Sequence, residues 1–428
     1  MTPRPSRRAA LGQLAAGSLA ACSGAGGSRE ALRFWAMGRE GEVAQALMPA
    51  FERANPGVRV EVQQLPWSAA HAKLLTAFAG GDLPDVCQIG NTWLAEFVAL
   101  GALERLDGRV ATSAVVAPGE DFPGIWATNI VSGRLYGIPW YVDTRLLFYR
   151  RDLLARAGWD AAPRTWAQWL SAMEAVKALV GAGGYAALLP LNEYEPLLTL
   201  ALQQDDPLLR DGGGRGNFRG PGFRRALAFY EEIFRRDLAP PVSETQIGNL
   251  YDEFARGYFS FYVTGPWNLG EFRRRLPPAR QAIWMTAPMP GPAGPGAGIA
   301  GGASLVVVRT SRRKDAAWRL IEYLSRPEVQ GRFYALTGDL PPRRDAWNDA
   351  PLAGDIKAAA FLDQLGRAKP APAVPEWERI ATEMQSVAEQ MVLGRLGLDA
   401  AVLEMDRRAD RLLEKRRWML ARGAGAAP

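Results

Sequence analysis

Hydrophobic positions in the first part of the chain follow two different periods. Val43, Leu47 and Phe51 recur at the spacing of one helix face, and Asn55-Pro56-Gly57 ends that helix. From Val58 to Gln63 the valines instead occupy every second position, with polar residues between them. This alternation is typical of a strand with one buried face.

These periods predict a mostly parallel sheet. Strands are expected at 32–36, 58–63 and 84–89, separated by the Val43 helix and by a second helix over 68–79. Alternating strands and helices build parallel sheets, and in such sheets ligands bind beyond the carboxyl ends of the strands. We expect a ligand to contact the polar and aromatic residues near those ends: Trp35, Arg39, Glu40, Trp67, Asn91 and Trp93.

A second cluster of polar and aromatic residues lies in the stretch GIPWYVDTRLLFYR, residues 137–150. Trp140 and Tyr141 precede Asp143 and Arg145, whose spacing of two places both charges on one face of a strand. The aromatic residues that follow favour a buried strand. We interpret the stretch as one that lines a cleft and then enters a core. An edge strand with an incidental ion pair is the alternative interpretation.

The second half of the chain predicts further helices and strands. Thr165 and Gln168 have the spacing of a capping box for a helix that reaches Leu179. The expected strand 185–191 ends just before Glu193, and the expected strand 258–263 ends shortly before Trp267 and Asn268. These three residues suit ligand contact. The expected strands are 185–191, 258–263 and 304–308, the expected helices 222–237 and 377–391, and the expected surface excursion 205–221.

A glycine-rich motif in this half invites a nucleotide-binding interpretation. Gly296-Ala297-Gly298-Ile299-Ala300-Gly301 fits the pattern G-x-G-x-x-G. A predicted strand follows it, whereas a dinucleotide-binding fold requires a helix at that position. We therefore reject a nucleotide site; a plain turn is the simplest alternative.

The N-terminal residues have the features of a secretory signal. Three arginines within residues 4–8 precede a weakly apolar stretch, 11–21, that is too short to span a bilayer. Leu19-Ala20-Ala21-Cys22 resembles the lipobox of bacterial lipoproteins, in which the cysteine is diacylated and becomes the first residue. We expect removal of a signal peptide, 1–21, and a lipidated tether, 22–29. An unprocessed, disordered N-terminus is the alternative.

The composition excludes several classes of function. The chain has 428 residues, 48% hydrophobic and 22% charged, enough for about two or three domains. Its formal charge of +6 falls to +3 once Arg4, Arg7 and Arg8 leave with the signal, and no basic stripe for nucleic acid is present. Cys22 and Cys87 are the only cysteines, so a lipidated chain has no internal disulfide. The sole histidine lies in a predicted helix, where we expect a solvated side chain rather than a zinc ligand or catalytic base.

Several short motifs, taken in order, resemble those of family 1 extracellular solute-binding proteins, the sugar-capturing subunits of bacterial ABC importers. Maltose-binding protein is the best-known relative in that family. The motifs span nearly the whole mature chain. They are the lipobox, Gly80-Gly81-Asp82-Leu83-Pro84-Asp85-Val86, Gly101-Ala102-Leu103-Glu104-Arg105-Leu106, the stretch 137–153, Thr264-Gly265-Pro266-Trp267 and Gly338-Asp339-Leu340-Pro341.

The resemblance implies an α/β, two-lobed periplasmic-binding-protein fold, type II-like, with crossing strands as the hinge between the lobes. It divides the chain into an N-terminal lobe, 30–143 with 300–344, and a C-terminal lobe, 144–299 with 345–428. It also places Gly301 and Gly302 at the return crossover, where they let the backbone approach the ligand.

Sugar chemistry accounts for the candidate residue types. The apolar face of a pyranose stacks on aromatic rings, and its hydroxyls favour charged partners with several hydrogen-bonding groups. We expect Trp166, Trp169, Trp284 and Trp318 to be core residues. The expected platforms are Trp35, Trp67, Trp93, Trp140, Tyr141 and Trp267, and the expected hydrogen-bonding partners are Arg39, Glu40, Asn91, Asp143, Arg145, Glu193 and Arg343.

The resemblance implies an exported, non-enzymatic receptor, lipid-anchored to the cell envelope membrane and facing the periplasm or the cell exterior. It would capture an oligosaccharide, for example an α-glucoside such as maltose or trehalose, in the interlobe cleft and deliver it to the permease subunits of an ABC importer. No cofactor, metal or nucleic acid is expected, and the protein is expected to be a monomer. One alternative is an exported enzyme related to glycoside hydrolases, using Asp143 and Glu193. The other is the same fold with a non-sugar solute, such as a glycerol phosphate or a polyamine.

Overall fold

The computed structural model describes residues 31–348 and 350–422. The predicted signal peptide and the whole predicted tether, including Cys22, lie outside the described residues. Within these limits, no helix has the length and apolar character needed to cross a bilayer.

The strands are β1 (Leu32–Met37), β2 (Val60–Leu65), β3 (Val86–Gly90), β4 (Ile130–Val131), β5 (Arg134–Leu135), β6 (Ile138–Asp143), β7 (Leu146–Arg150), β8 (Ala187–Leu188), β9 (Leu209–Arg210), β10 (Arg215–Gly216), β11 (Phe261–Thr264), β12 (Trp284–Ala287) and β13 (Gly301–Val307).

The helices are α1 (Gly38–Ala54), α2 (Trp67–Ala79), α3 (Leu94–Ala99), α4 (Asp107–Val110), α5 (Pro123–Ala127), α6 (Arg151–Arg156), α7 (Trp166–Val180), α8 (Glu195–Leu202), α9 (Pro221–Arg235), α10 (Leu250–Arg256), α11 (Trp267–Arg275), α12 (Lys314–Leu324), α13 (Pro327–Thr337), α14 (Ala350–Ala353), α15 (Ala359–Leu365), α16 (Trp377–Val392), α17 (Leu398–Leu412) and α18 (Glu414–Ala421).

The first sheet has the strand order β2-β1-β3-β13-β6. Strand β1 runs parallel to β2 and β3, as the sequence predicts, whereas β13 joins antiparallel to β3 and β6. Alternation along β1 places Phe34 and Ala36 in one core, and Trp35 and Met37 in a second core on the other face. The sheet is therefore buried on both faces, as parallel sheets usually are.

The second sheet has the order β12-β7-β11-β8 and its own, larger core. Strand β7 lies inside the sheet, paired antiparallel to β11 and β12, which explains the aromatic run that precedes Arg150. Phe148 of β7 stacks on Trp284 with 5.7 Å between ring centroids. The C-terminal helices complete this core, with Trp377 and Met384 of α16 fully buried.

The chain passes between the two sheets at three places. Only Thr144 and Arg145 separate β6 of the first sheet from β7 of the second. The chain returns between β12 and β13, and it leaves the first sheet again near Leu340, whose carbonyl accepts a hydrogen bond from the Val142 N–H at 2.9 Å. Three adjacent crossings give a two-lobed α/β fold with crossing segments as its hinge.

Two local predictions in the second half have different outcomes. The capping box of α7 is confirmed, because the Gln168 N–H donates to Thr165 Oγ1 at 3.1 Å and the Gln168 side chain accepts from the Thr165 N–H. The predicted strand over 185–191 is wrong in length, since β8 contains only Ala187 and Leu188. This strand lies at the edge of its sheet, and Pro190 has no N–H with which to extend the pairing.

Candidate functional site

A cavity of about 680 Å³ lies between the two sheets. Its volume falls in the range of about 300–1,000 Å³ typical of small-molecule sites. Residues from both lobes and from the crossings line it. They are Arg39, Glu40, Trp67, Gly90, Asn91, Thr92, Trp93, Tyr141, Val142, Asp143, Tyr194, Glu195, Tyr251, Pro266, Trp267, Glu271, Arg274, Arg275, Ile299, Gly301, Gly302, Thr337, Asp339 and Glu378.

The N-lobe wall is built at the carboxyl ends of β1, β2 and β3. Arg39 and Glu40 begin α1, Trp67 begins α2, and the 3₁₀ turn Asn91–Trp93 follows β3 directly. The Trp67 and Trp93 rings meet edge to face with centroids 5.7 Å apart. These residues lie at the cleft where the sequence analysis expected them; their contact with a ligand stays a prediction.

The C-lobe wall is formed mainly by α11. Trp267 is its first residue and remains 36% exposed, facing the cavity. Glu271, Arg274 and Arg275 line the cavity along the same helix, at offsets of four, seven and eight residues from Trp267. Both arginines pair with Glu271, so they bring little uncompensated charge to the cleft.

Arg145 lies beneath the cavity and joins its two walls. It is buried; its Nη1 donates to the Asp143 carboxylate at 2.7 Å and its Nη2 to Glu195 at 3.0 Å. Burial alone would lower the pKa of this guanidinium, but the two carboxylates more than offset burial and raise it. Its guanidinium carbon also lies 4.6 Å from the centroid of the Trp267 ring. Arg145 therefore supports the cleft from below rather than lining it.

Gly302 shows why the return crossover needs glycine. Its φ of +121° lies in the region that side chains disfavour, and a Cβ there would lie 2.2 Å from the Tyr141 carbonyl oxygen. Gly301 and Gly302 both line the cavity, so the backbone itself forms part of the wall.

Two predicted sugar platforms, Trp35 and Trp140, are corrected by the structure. Trp35 lies inside β1 and packs in the core on the α2 and α3 side of the sheet. Trp140 is only 1% exposed and stacks on Phe333 at 4.7 Å. The sequence shows that these aromatic residues lie in or near strands, but the face toward which each one points depends on the packing of the helices.

Besides Arg145, three further residues that were predicted to contact the ligand lie outside the cavity lining. Asn268 is buried, donates to Thr264 Oγ1 at 2.7 Å and accepts from the Tyr251 hydroxyl at 2.8 Å. Arg343 pairs with Asp345 away from the cleft, because the chain has already turned beyond the third crossing. Burial raises the pKa of the Glu193 carboxyl to about 8, and the nearby positive charge of Arg145 offsets only part of this rise.

The His71 side chain is 33% exposed and so is partly solvated, as the sequence analysis expected, but it also has protein contacts. Its Nε2 lies 2.7 Å from Glu96 Oε2, and its ring lies 5.0 Å from the Trp93 ring. His71 therefore supports the position of Trp93 at the cleft. In the described part of the chain, no three His, Cys, Asp or Glu side chains are grouped so that they hold a metal ion.

Sequence reasoning missed several lining residues. The helical offsets from Trp267 were a usable signal for those on α11. No local signal marks Glu378, which α16 brings to the cleft and which accepts from the Tyr194 hydroxyl at 3.3 Å. The remaining missed residues with polar side chains are Thr92, Tyr194, Glu195, Tyr251, Thr337 and Asp339, and the others are Gly90, Val142, Pro266 and Ile299.

Comparison with known proteins shows a match to one family over most of the chain. The model of the family "Bacterial extracellular solute-binding protein" matches residues 36–331. A solved structure, the sugar-binding protein MalE from the phytopathogen Xanthomonas citri, is 56% identical with a TM-score of 0.88, over 91% of this chain and 99% of that one.

More distant similarities cover nearly the whole chain as well, one to a solved structure and one to a protein sequence. The GacH receptor of Streptomyces glaucescens, solved unliganded and with acarbose, is 23% identical with a TM-score of 0.78, over 90% of this chain and 98% of that one. The diacetylchitobiose-binding protein DasA of Streptomyces coelicolor is 22% identical over 410 residues, which cover 90% of this chain and 93% of DasA.

Proposed function

The chain belongs to the bacterial extracellular solute-binding protein family, and from that premise we propose that it captures a sugar in the interlobe cleft and delivers it to the permease of an ABC importer. The observation that carries the proposal is a cleft in which Trp67 and Trp93 of one lobe oppose Trp267 of the other. The 56% identity to a sugar-binding protein over nearly its whole length supports the same conclusion.

The cleft has the two kinds of group that a saccharide requires. Indole rings offer apolar faces for the C–H faces of pyranose rings. Carboxylates around them offer charge-assisted hydrogen bonds to hydroxyl groups. The size of the cavity and its tryptophans on both walls favour an oligosaccharide, and we propose an α-glucoside such as maltose or trehalose as the ligand class.

The charges in the cleft argue against a phosphorylated solute. Six carboxyl groups line the cavity (Glu40, Asp143, Glu195, Glu271, Asp339 and Glu378), against three arginines, Arg39, Arg274 and Arg275. Each of those arginines is already paired with Glu42 or Glu271. A phosphate group would therefore meet mostly negative or already neutralised groups.

A thermal-shift screen of the purified mature chain tests the proposal. The panel contains maltose, trehalose, longer α-glucosides, glycerol 3-phosphate and spermidine. We expect a saturable rise in melting temperature with at least one α-glucoside, because a ligand that binds only the folded state stabilises it. A rise in melting temperature with spermidine or glycerol 3-phosphate, and with no sugar, would show that the ligand is a non-sugar solute.

We further propose that the protein is not an enzyme. Members of its family are binding proteins, and neither carboxyl group of the hypothetical catalytic pair is suitably placed. Asp143 is held by Arg145, and Glu193 lies outside the cavity lining. Turnover of a chromogenic α-glucoside, lost on Asp143→Asn, would contradict this proposal.

The place of the protein in the cell is a separate proposal. We propose export and lipid anchoring through Cys22, on the strength of the sequence motif alone. Wild-type protein should fractionate with membranes, and Cys22→Ala should leave an unlipidated precursor or soluble protein. Wild-type protein that is soluble and carries no lipid would refute the anchor. The lobe boundaries given above and the monomeric state also stay predictions.

A further inference from the structure

Two carboxyl groups of the cleft are buried without a cation. Glu40 and Asp339 are 7% and 5% exposed, and neither forms an ion pair with any residue in 31–348 or 350–422. The neighbouring carboxylates differ, because Asp143 and Glu195 share the guanidinium of Arg145. A buried carboxylate without a counter-charge is costly.

Backbone pairing fixes the position of Asp339. Val142 and Leu340 form an antiparallel bridge, which places Asp339 opposite Asp143. Tyr141 also lies within the range of the Asp339 charge. The Asp339 N–H donates to Thr337 Oγ1 at 3.0 Å, which holds the segment in place. Both Thr337 and Asp339 line the cavity.

A chain of hydrogen bonds leads from the Met37 N–H through Gln88 and Tyr141 to Glu40. The Met37 N–H donates to Gln88 Oε1 at 2.7 Å, so the Gln88 amide points its Nε2 toward the Tyr141 hydroxyl, to which it donates at 3.1 Å. Because that hydroxyl oxygen already accepts a bond, its proton is free to donate to Glu40.

Trp67 adds a second donor to Glu40, since its Nε1–H lies 3.4 Å from Glu40 Oε2. These two donors favour the ionised form of Glu40, whereas burial acts in the opposite direction and raises the pKa of its carboxyl. Asp339 faces both Glu40 and Asp143, and it has one side-chain donor, the Thr337 hydroxyl, where Glu40 has two. Two neighbouring buried carboxyl groups without a cation do not both ionise readily.

We propose that Asp339 carries a proton at neutral pH and donates its O–H to an oxygen of the bound sugar, while the adjacent Glu40 accepts from a sugar hydroxyl. This inference rests on the proposed function and names a donor and an acceptor within the same cleft. Burial, followed by the negative charge of Glu40, raises the pKa of Asp339 well above its ordinary range, which supports the assignment.

The proposal fixes the sign of the pH dependence. Raising the pH through the pKa of Asp339 removes a donor and adds a second negative charge beside Glu40, so sugar affinity should fall. The arginines that line the cavity do not compensate, because they pair with Glu42 and Glu271. Tyr141, Asp143 and Arg145 are the other ionisable groups near Asp339.

Calorimetric titration with maltose, or with the α-glucoside selected by the thermal-shift screen, tests the role in binding. Wild-type affinity should fall about tenfold between about pH 6 and pH 9, the loss expected for one hydrogen bond near the upper end of its usual range. Asp339→Asn, a permanently neutral donor, should bind at about pH 6 within a few-fold of wild type and show no such fall. Asp339→Leu lacks the donor at every pH, so at both pH values it should bind about tenfold more weakly than wild type does at about pH 6. Equal pH profiles for wild type and Asp339→Asn would overturn the proposal.

A measurement without sugar keeps this test separate from the proposed function. A carboxyl group whose pKa is raised by folding stabilises the native state at low pH, and that contribution is lost as the pH rises above the pKa of the unfolded chain, about 4. The melting temperature of Asp339→Asn relative to wild type should therefore increase from about pH 5 to pH 9. Asp363→Asn, which removes an exposed carboxylate paired with Arg367, is the matched control and should not show this increase. If the melting temperatures of Asp339→Asn and wild type changed equally with pH, a protonated Asp339 would be refuted, whatever the ligand is.

Discussion

Single tryptophans in this protein occupy two physically different environments. Trp267 begins a helix at the mouth of the cleft, and its ring lies over Gly265, where a Cβ would come 1.9 Å from the ring. Trp140 instead lies in a strand and is covered by Phe333 and Phe34. The same substitution should therefore have different effects at the two positions.

Trp267→Ala should weaken sugar binding and spare the fold. We expect a loss of about 2 kcal/mol or more in binding free energy, the range of interface hot spots, or about thirtyfold in dissociation constant. Calorimetric titration and ligand-free melting measure the two effects. Trp140→Ala is the control and should cost about 3–5 kcal/mol of folding stability, as a core truncation does. A large drop in the melting temperature of Trp267→Ala, or an unchanged affinity, would exclude Trp267 as a platform.

The sequence shows residue types more reliably than the direction of their side chains. Trp67, Trp93 and Trp267 follow strand ends and reach the cleft, whereas Trp35 and Trp140 lie inside strands and are buried. Asp339 belongs to a recognised motif, yet its role depends on Glu40, about 300 residues away in the chain. Only the tertiary structure brings these two groups to one wall.

At the scale of secondary structure, strand β13 carries the return crossover and depends on one backbone conformation. Gly302 combines a positive φ with close contact to the Tyr141 carbonyl. Gly302→Ala should destabilise the protein by roughly 1–3 kcal/mol through backbone strain, with a further cost from steric overlap. Chemical denaturation measures this difference. Gly294→Ala is the control, because no atom lies within 4 Å of its Cβ position. Equal stabilities of the two variants would contradict the account of the crossover.

Elements with strong periodicity or end signals were predictable, and short ones were not. The capping box fixed the start of α7 to within a few residues, and the valine alternation marked β2. Strand β8 is too short and too close to Pro190 to be delimited from sequence. Helix α16 was predicted as a core helix, but the contribution of its Glu378 to the cleft depends on how the C-lobe packs across from the N-lobe.

At the scale of the whole molecule, three adjacent crossings allow one lobe to rotate against the other. The cavity is lined by both lobes, so a ligand that contacts both stabilises the closed arrangement by its differential affinity. Small-angle scattering should show a smaller radius of gyration at saturating sugar. Trp267→Ala at the same sugar concentration should change less. An unchanged wild-type curve at saturation would indicate a rigid cleft.

The central claim is that this cleft binds a saccharide, and calorimetric titration of the mature chain with α-glucosides tests it most directly. The account predicts saturable binding of one sugar molecule per chain by at least one of maltose, trehalose or a longer α-glucoside, with the affinity lowered about thirtyfold by Trp267→Ala. A sample that melts cooperatively yet gives no binding heat at several temperatures, with any of these sugars, would contradict it.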